Sequence, residues 1–156
     1  MIKKVLFVCL GNICRSPSAE SVFRQRASLL SWPLELDSAG TISTHSGERS
    51  DPRSIHHAEK RGYQMTHLAR QIKAEDFLKY DLILVMDQSN YRNVKSICPE
   101  EQVSKIKMLT DFCGSGRYEA VPDPYYGSGA DFELVLDIIE DAWSGFQKTY
   151  FPSAKP

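Results

Sequence analysis

Val5-Leu-Phe-Val8 has no polar side chain, and Cys9, Gly11, Asn12 and Arg15 follow it at once; that junction restricts the fold more than any other part of the chain. A strand with one wet face alternates apolar and polar residues. A continuous β-branched and aromatic run reads instead as a strand buried on both faces of a parallel sheet. Asp81-Leu-Ile-Leu-Val-Met86 is a second such run. Parallel neighbours need crossovers, and helical patterns lie between the runs. Ser16 suits an N-cap and Pro17 a first helical position, and Ala19, Val22, Phe23, Ala27 and Leu30 recur at helical spacing. Leu34-Glu-Leu36-Asp alternates like a less buried strand, and a loop over 39–50 follows it. Asp51-Pro52 opens a helix that should stop at Gly62, and Ser89 or Asn90 opens another. Ile106 to Leu109 reads as a fourth strand. After a polar loop from Thr110 to Gly129, Phe132, Val135, Leu136, Ile139, Trp143 and Phe146 share one face of a final helix. Alternating strands and helices predict an α/β three-layer sandwich with right-handed crossovers, a single domain over 1–156. With the first strand central, the loop from Cys9 to Ser16 lies at the topological switch point, where open α/β sheets bind ligands.

Two lysines precede the first apolar run, but the run is too short for a secretory h-region, and no other approaches a membrane span. A cytoplasmic location with reduced cysteines is the expectation. None of Cys9, Cys14, Cys98 and Cys113 forms a C-x-x-C pair or fits a zinc template. A net charge of −1 gives no reason to expect nucleic acid or an anionic membrane as partner. The charge is uneven: Arg49 to Lys73 holds six Lys/Arg against two Asp/Glu, and Glu119 to Asp141 holds seven acids and no Lys/Arg. These segments read either as two solvated faces or as a basic rim for a phosphorylated partner.

The chemistry concentrates in Cys9-Leu10-Gly11-Asn12-Ile13-Cys14-Arg15-Ser16. A loop between a buried strand and a helix N-terminus can turn several backbone N–H groups onto one anion. Gly11 and Asn12 tolerate the positive φ that a tight cradle needs. Arg15 offers a planar fork for two phosphate oxygens. The thiolate is the nucleophilic form of cysteine, and a positive cup favours it. Five residues between Cys9 and Arg15 carry the chain around the anion, placing sulfur below phosphorus and the guanidinium beside it. Ser16 is expected to donate its hydroxyl to that sulfur as well as to cap the helix.

Val-Cys-Leu-Gly-Asn-Ile-Cys-Arg-Ser-Pro resembles the active-site signature of the low-molecular-weight protein tyrosine phosphatases. The likeness continues through Asp37-Ser-Ala-Gly40, Asp51-Pro-Arg53, His67-Leu-Ala-Arg-Gln71, Met86-Asp87-Gln-Ser-Asn90 and Asp123-Pro-Tyr-Tyr-Gly127. It implies a central four-stranded parallel sheet, a phosphocysteine intermediate on Cys9, phosphate bound by Arg15 and by the loop Leu10 to Ser16, and Asp123 as general acid and base. It also implies Tyr125 and Tyr126 as an aromatic wall, Asn12 pinning the loop, Asp87 organising the far side, and Glu20 with His67 supporting the helix behind. Cys14 matches a second cysteine that can form a disulfide with oxidised Cys9. No cofactor or metal is implied, and the partner would be a phosphotyrosine-containing protein, acted on by a monomer or weak dimer. The pattern departs at Thr41-Ile-Ser-Thr44-His45, where many relatives carry Trp or Tyr; Ile42 or His45 would have to supply that wall. Two rival activities on the same fold are an arsenate reductase, which would need a cysteine relay, and a phosphoarginine phosphatase, whose relatives resemble this loop with Thr in place of Ile13.

Overall fold

The computed structural model describes residues 1–152. In chain order the regular elements are β1 (Lys4–Cys9), α1 (Arg15–Leu29), β2 (Glu35–Gly40), α2 (Pro52–Lys60), α3 (Asp76–Lys79), β3 (Leu82–Val85), α4 (Gln88–Ile97), β4 (Ile106–Met108) and α5 (Gly129–Tyr150). The strands form one parallel sheet in the order β2-β1-β3-β4. β1 is therefore interior, and the chain leaves it to opposite sides, which puts the switch point where expected. Its lack of alternation has a direct cause. Val5, Phe7 and Cys9 enter the core shared with α1 and α5, and Leu6 and Val8 enter the core on the other face, with Phe77, Tyr80 and Val94. Phe7, Phe23 and Phe146 stack edge to face around the first core, with Phe7 and Phe23 centroids 4.8 Å apart.

Two helix starts differ from the sequence expectation. α1 begins at Arg15 with Cys14 as its cap residue, so Ser16 lies inside the first turn and does not cap it. Its hydroxyl lies against the Cys9 sulfur instead. The helix also ends at Leu29, leaving Leu30 just outside. α4 is capped by Asp87 and not by Ser89 or Asn90: Asp87 Oδ1 accepts from Asn90 N at 2.8 Å, and Asn90 Oδ1 accepts from Asp87 N at 3.2 Å. Asn90 thus completes a reciprocal cap from the third position. α2 starts as read, with Asp51 accepting from Arg53 N, and its chain turns at Gly62 with φ +89°. The short α3 had no periodic signal. It is held by the buried Asp76 carboxylate, which accepts from Lys73 N and from Arg70.

β2 runs on through Ala39 and Gly40, beyond the alternating stretch that ends at Asp37. Gly40 is required there: a Cβ would stand 2.6 Å from the Leu10 carbonyl oxygen. The two uneven charge segments meet in part. α2 packs on α5, and Arg61 reaches Glu133, Asp137 and Glu140 at 2.7, 2.9 and 3.0 Å.

Candidate active site

β1 ends at Cys9 and α1 begins at Arg15, so the intervening turn is closed by two well-packed elements. Asn12 is the residue that bends it, with φ +59°; Gly11 does not take a positive φ. Four contacts hold Asn12 in that conformation. Its amide donates to Ser16 Oγ at 2.8 Å and Ser38 Oγ at 3.0 Å, while its Oδ1 lies 2.8 Å from His67 Nε2 and accepts from Arg70 N at 2.9 Å. Behind it, Ser38 Oγ donates to Glu20 Oε1 at 2.7 Å, and His67 Nδ1 lies 3.3 Å from Glu20 and from Asp37. A strained turn persists when its surroundings over-determine it, and this buried network does that.

Cys9 Sγ lies 3.0 Å from Ser16 Oγ. Because Ser16 Oγ already accepts from Asn12, its own hydrogen has two outlets, the sulfur at 3.0 Å and the Ala39 carbonyl at 3.4 Å. The shorter one directs it to the sulfur, where it stabilises negative charge.

Arg15 is only 3% exposed. Its Nη1 donates to Asp87 Oδ2 at 2.7 Å and to the Val121 carbonyl at 3.0 Å, and its Nη2 lies 3.7 Å from Asp123 Oδ2. Burial alone would lower the guanidinium pKa, but the Cys9 sulfur first, then Asp87 and Asp123, raise it above the ordinary arginine value. Asp87 thus has two tasks: one carboxylate oxygen caps α4 and the other aims Arg15.

These groups surround a cleft of about 230 Å³. Cys9, Leu10, Gly11, Ile13, Cys14 and Arg15 line its base, and Asp123, Tyr125 and Tyr126 come from the late loop. Asp123 is half-exposed; its Oδ1 accepts from Tyr125 N at 3.1 Å, and its Oδ2 is the oxygen nearer Arg15. Of the residues expected from the sequence, Asn12, Ser16, Asp87, Glu20 and His67 do not line the cleft; they brace those that do. Ile42 and His45 also line it, and Thr44 is not among the lining residues. From the segment Thr41 to His45, Ile42 and His45 are thus the residues that face the cleft.

Sequence reasoning missed three contributors. Arg53 stacks over Tyr125 with 5.3 Å to the ring centroid while forked onto Asp51. Ser38 links Asn12 to Glu20, and the Val121 carbonyl anchors Arg15. Arg53 and Ser38 left a signal, each inside a stretch that carries the family likeness; a backbone carbonyl leaves none.

Among the described residues, Glu20, Asp37 and His67 form the group whose ligand atoms converge as a metal site would need. It sits behind the loop, and its atoms are already engaged with Ser38, Arg24, Arg70 and Asn12. No described helix is long and apolar enough to cross a membrane.

A family model described as low molecular weight phosphotyrosine protein phosphatase matches residues 4–150. A putative low molecular weight protein-tyrosine-phosphatase of Synechocystis is 47% identical over 142 residues, 89% of this chain and 90% of the relative. The low molecular weight phosphotyrosine protein phosphatase of Schizosaccharomyces pombe is 42% identical, over 88% and 90% of the two chains. Among solved structures, a protein tyrosine phosphatase from Entamoeba histolytica superposes with a TM-score of 0.92 at 40% identity, covering 97% of this chain and 99% of its own. Topology, loop and sequence agree: the chain belongs to the low molecular weight phosphotyrosine protein phosphatase family.

Proposed function

We propose that the protein hydrolyses phosphotyrosine in protein substrates through a phosphocysteine on Cys9. The observation that carries this reading is that Cys9, Arg15 and Asp123, from two distant parts of the chain, line one cleft. The Cys9 thiolate attacks phosphorus as the ester P–O bond breaks, and Asp123 gives its proton to the departing phenolate oxygen. Asp123, now a carboxylate, takes a proton from water as the water oxygen attacks phosphorus. The S–P bond breaks, and phosphate and the thiolate are released. Arg15 and the amides of the loop and first helical turn hold the phosphoryl oxygens throughout. Ser16 stabilises the sulfur as nucleophile and again as leaving group.

The aromatic pair at the rim and the apolar Ile13 favour an aryl ester over phosphoarginine. Arsenate reduction would need further cysteines at the site, and Cys98 and Cys113 do not line the cleft. The positive field comes from Arg15 and the loop dipoles, so turnover of an aryl phosphate is expected to survive EDTA. Iodoacetate should abolish it, and inorganic phosphate should protect. Peptide mapping should find the label on Cys9, since burial pushes the Cys14 thiol up to about 12 and keeps it protonated. A requirement for added divalent metal, or inactivation with Cys9 unlabelled, would overturn the assignment.

Cys14 is proposed as the partner that rescues oxidised Cys9. Peroxide converts the Cys9 thiolate to a sulfenic acid, and the Cys14 thiol displaces water from it to form a disulfide. Burial is the main obstacle, because it disfavours the attacking thiolate. The negative sulfur of Cys9 adds to that obstacle and vanishes once Cys9 is oxidised. Mild peroxide is expected to yield a Cys9–Cys14 disulfide that thiols reverse. Finding Cys9 only as sulfinic acid beside an untouched Cys14 would remove the protective role.

A further inference from the structure

The segment after β2 touches the nucleophile loop on one side and a second hollow on the other. Thr41 N donates to the Cys9 carbonyl at 2.9 Å, and Ile42 N donates to the Leu10 carbonyl at 3.1 Å, so this segment cannot move independently of the loop. Ile42 lines the active-site cleft and also a hollow of about 300 Å³ beyond it. Its side chain is the partition between the two.

The hollow has a definite chemistry. Gln71, Asn93 and Ser96 contribute amides and a hydroxyl, and Ile42, Ile72 and Ile97 contribute apolar surface. No charged side chain lines it. Ile97 is 54% exposed at its mouth, an apolar surface open to a ligand. Thr41 also lines it, and its Oγ1 is withdrawn from solvent without a hydrogen-bond partner. Such an atom carries a cost that a partner would remove. A hydrogen-bonding ligand seated against Thr41 is the kind of partner this hydroxyl lacks.

We propose that this hollow is a second substrate subsite, holding an uncharged hydrogen-bonding side chain, of the asparagine or glutamine kind, that flanks the phosphotyrosine; the proposal rests on the phosphotyrosine reading above. The aliphatic stem of such a side chain lies on Ile42 and Ile97, and its amide meets Asn93, Ser96 and Thr41. A carboxylate or ammonium placed against the hollow would find no opposite charge among its lining residues, whereas an amide finds hydrogen-bonding partners there. The subsite therefore selects against charged neighbours of the phosphotyrosine.

The test is a series of short phosphotyrosyl peptides that differ only in the two residues on each side of the phosphotyrosine, carrying Gln, Asn, Leu, Glu or Lys in turn. Nitrophenyl phosphate, too small to span the partition, is the control. Wild type is expected to favour Gln or Asn over Glu and Lys at one position by about tenfold in kcat/KM, carried by KM. Ser96→Trp fills the hollow, and Asn93→Ala removes an amide without filling it. Both should flatten that preference and leave nitrophenyl phosphate turnover unchanged, which also reports that the variants fold. A preference that is absent in wild type, or that persists in both variants, overturns the subsite. If nitrophenyl phosphate is hydrolysed but no phosphotyrosyl peptide is, the phosphotyrosine reading itself fails and the subsite fails with it.

Discussion

Cys9→Ser is expected to lose turnover by more than about 10³-fold, over about 4 kcal/mol of transition-state stabilisation, while the protein stays folded and still binds phosphate. The reasoning is local. Serine keeps the shape of the side chain at the end of β1, so the core below it and the Asn12 network beside it remain filled. What changes is the nucleophile: a hydroxyl does not ionise in this cup as a thiol can, and Ser16 then donates to a neutral oxygen. The phosphate-binding groups, Arg15 and the loop amides, are untouched. Calorimetric titration with inorganic phosphate or vanadate should therefore give binding, and phosphate should raise Tm, as any ligand of the folded state does. Retention of even a tenth of wild-type kcat by a folded variant would sink the nucleophile assignment.

Asp123→Ala should slow phosphoryl transfer from phosphotyrosine by roughly 10²–10⁴-fold, or about 3–5 kcal/mol. A general acid matters in proportion to how badly the leaving group needs a proton, and a tyrosine phenol, with a pKa of about 10, needs one. A nitrophenyl or fluorinated coumarin phosphate departs with little help, so phosphoenzyme formation from it should be much less affected. Breakdown of the intermediate should still slow, because the same carboxylate is the proposed base for water. The measurement is the pre-steady-state burst of released phenol across substrates of graded leaving-group pKa. A steep dependence is expected in the variant and a shallow one in wild type. Equal slopes would mean that Asp123 does not deliver the proton, and Asp111 and Glu119 would be tried next.

The fold was legible where the pattern was local. Val5–Val8 and Leu82–Val85 could be read as interior strands because a strand covered on both faces has no polar positions to spare. α5 could be read from one long apolar face. Helix starts were less legible: both α1 and α4 begin where a side chain serves the site as well as the helix. Ser16 is a good cap residue that is used for sulfur, and Asp87 both caps α4 and aims Arg15. Propensity ranks residues for one task and does not register the second.

The sequence alone determined the cradle. Cys9, Asn12, Arg15 and Ser16 lie within eight residues between a buried strand and a helix, and spacing along a short chain restricts where their side chains can go. The polypeptide cannot carry Arg15 away from Cys9. Only the tertiary structure decided what completes the site. Asp123 stands 3.7 Å from an arginine 108 residues earlier, the Val121 carbonyl holds that same arginine, and Ile42 and His45 line one cleft with Tyr125. Those distances depend on β1 lying between β2 and β3, on α5 packing under the sheet, and on loops whose course follows from what they pack against. A pairing across a hundred residues leaves no period in the sequence. It exists because burying two hydrophobic faces of one sheet brings the ends of its strands together.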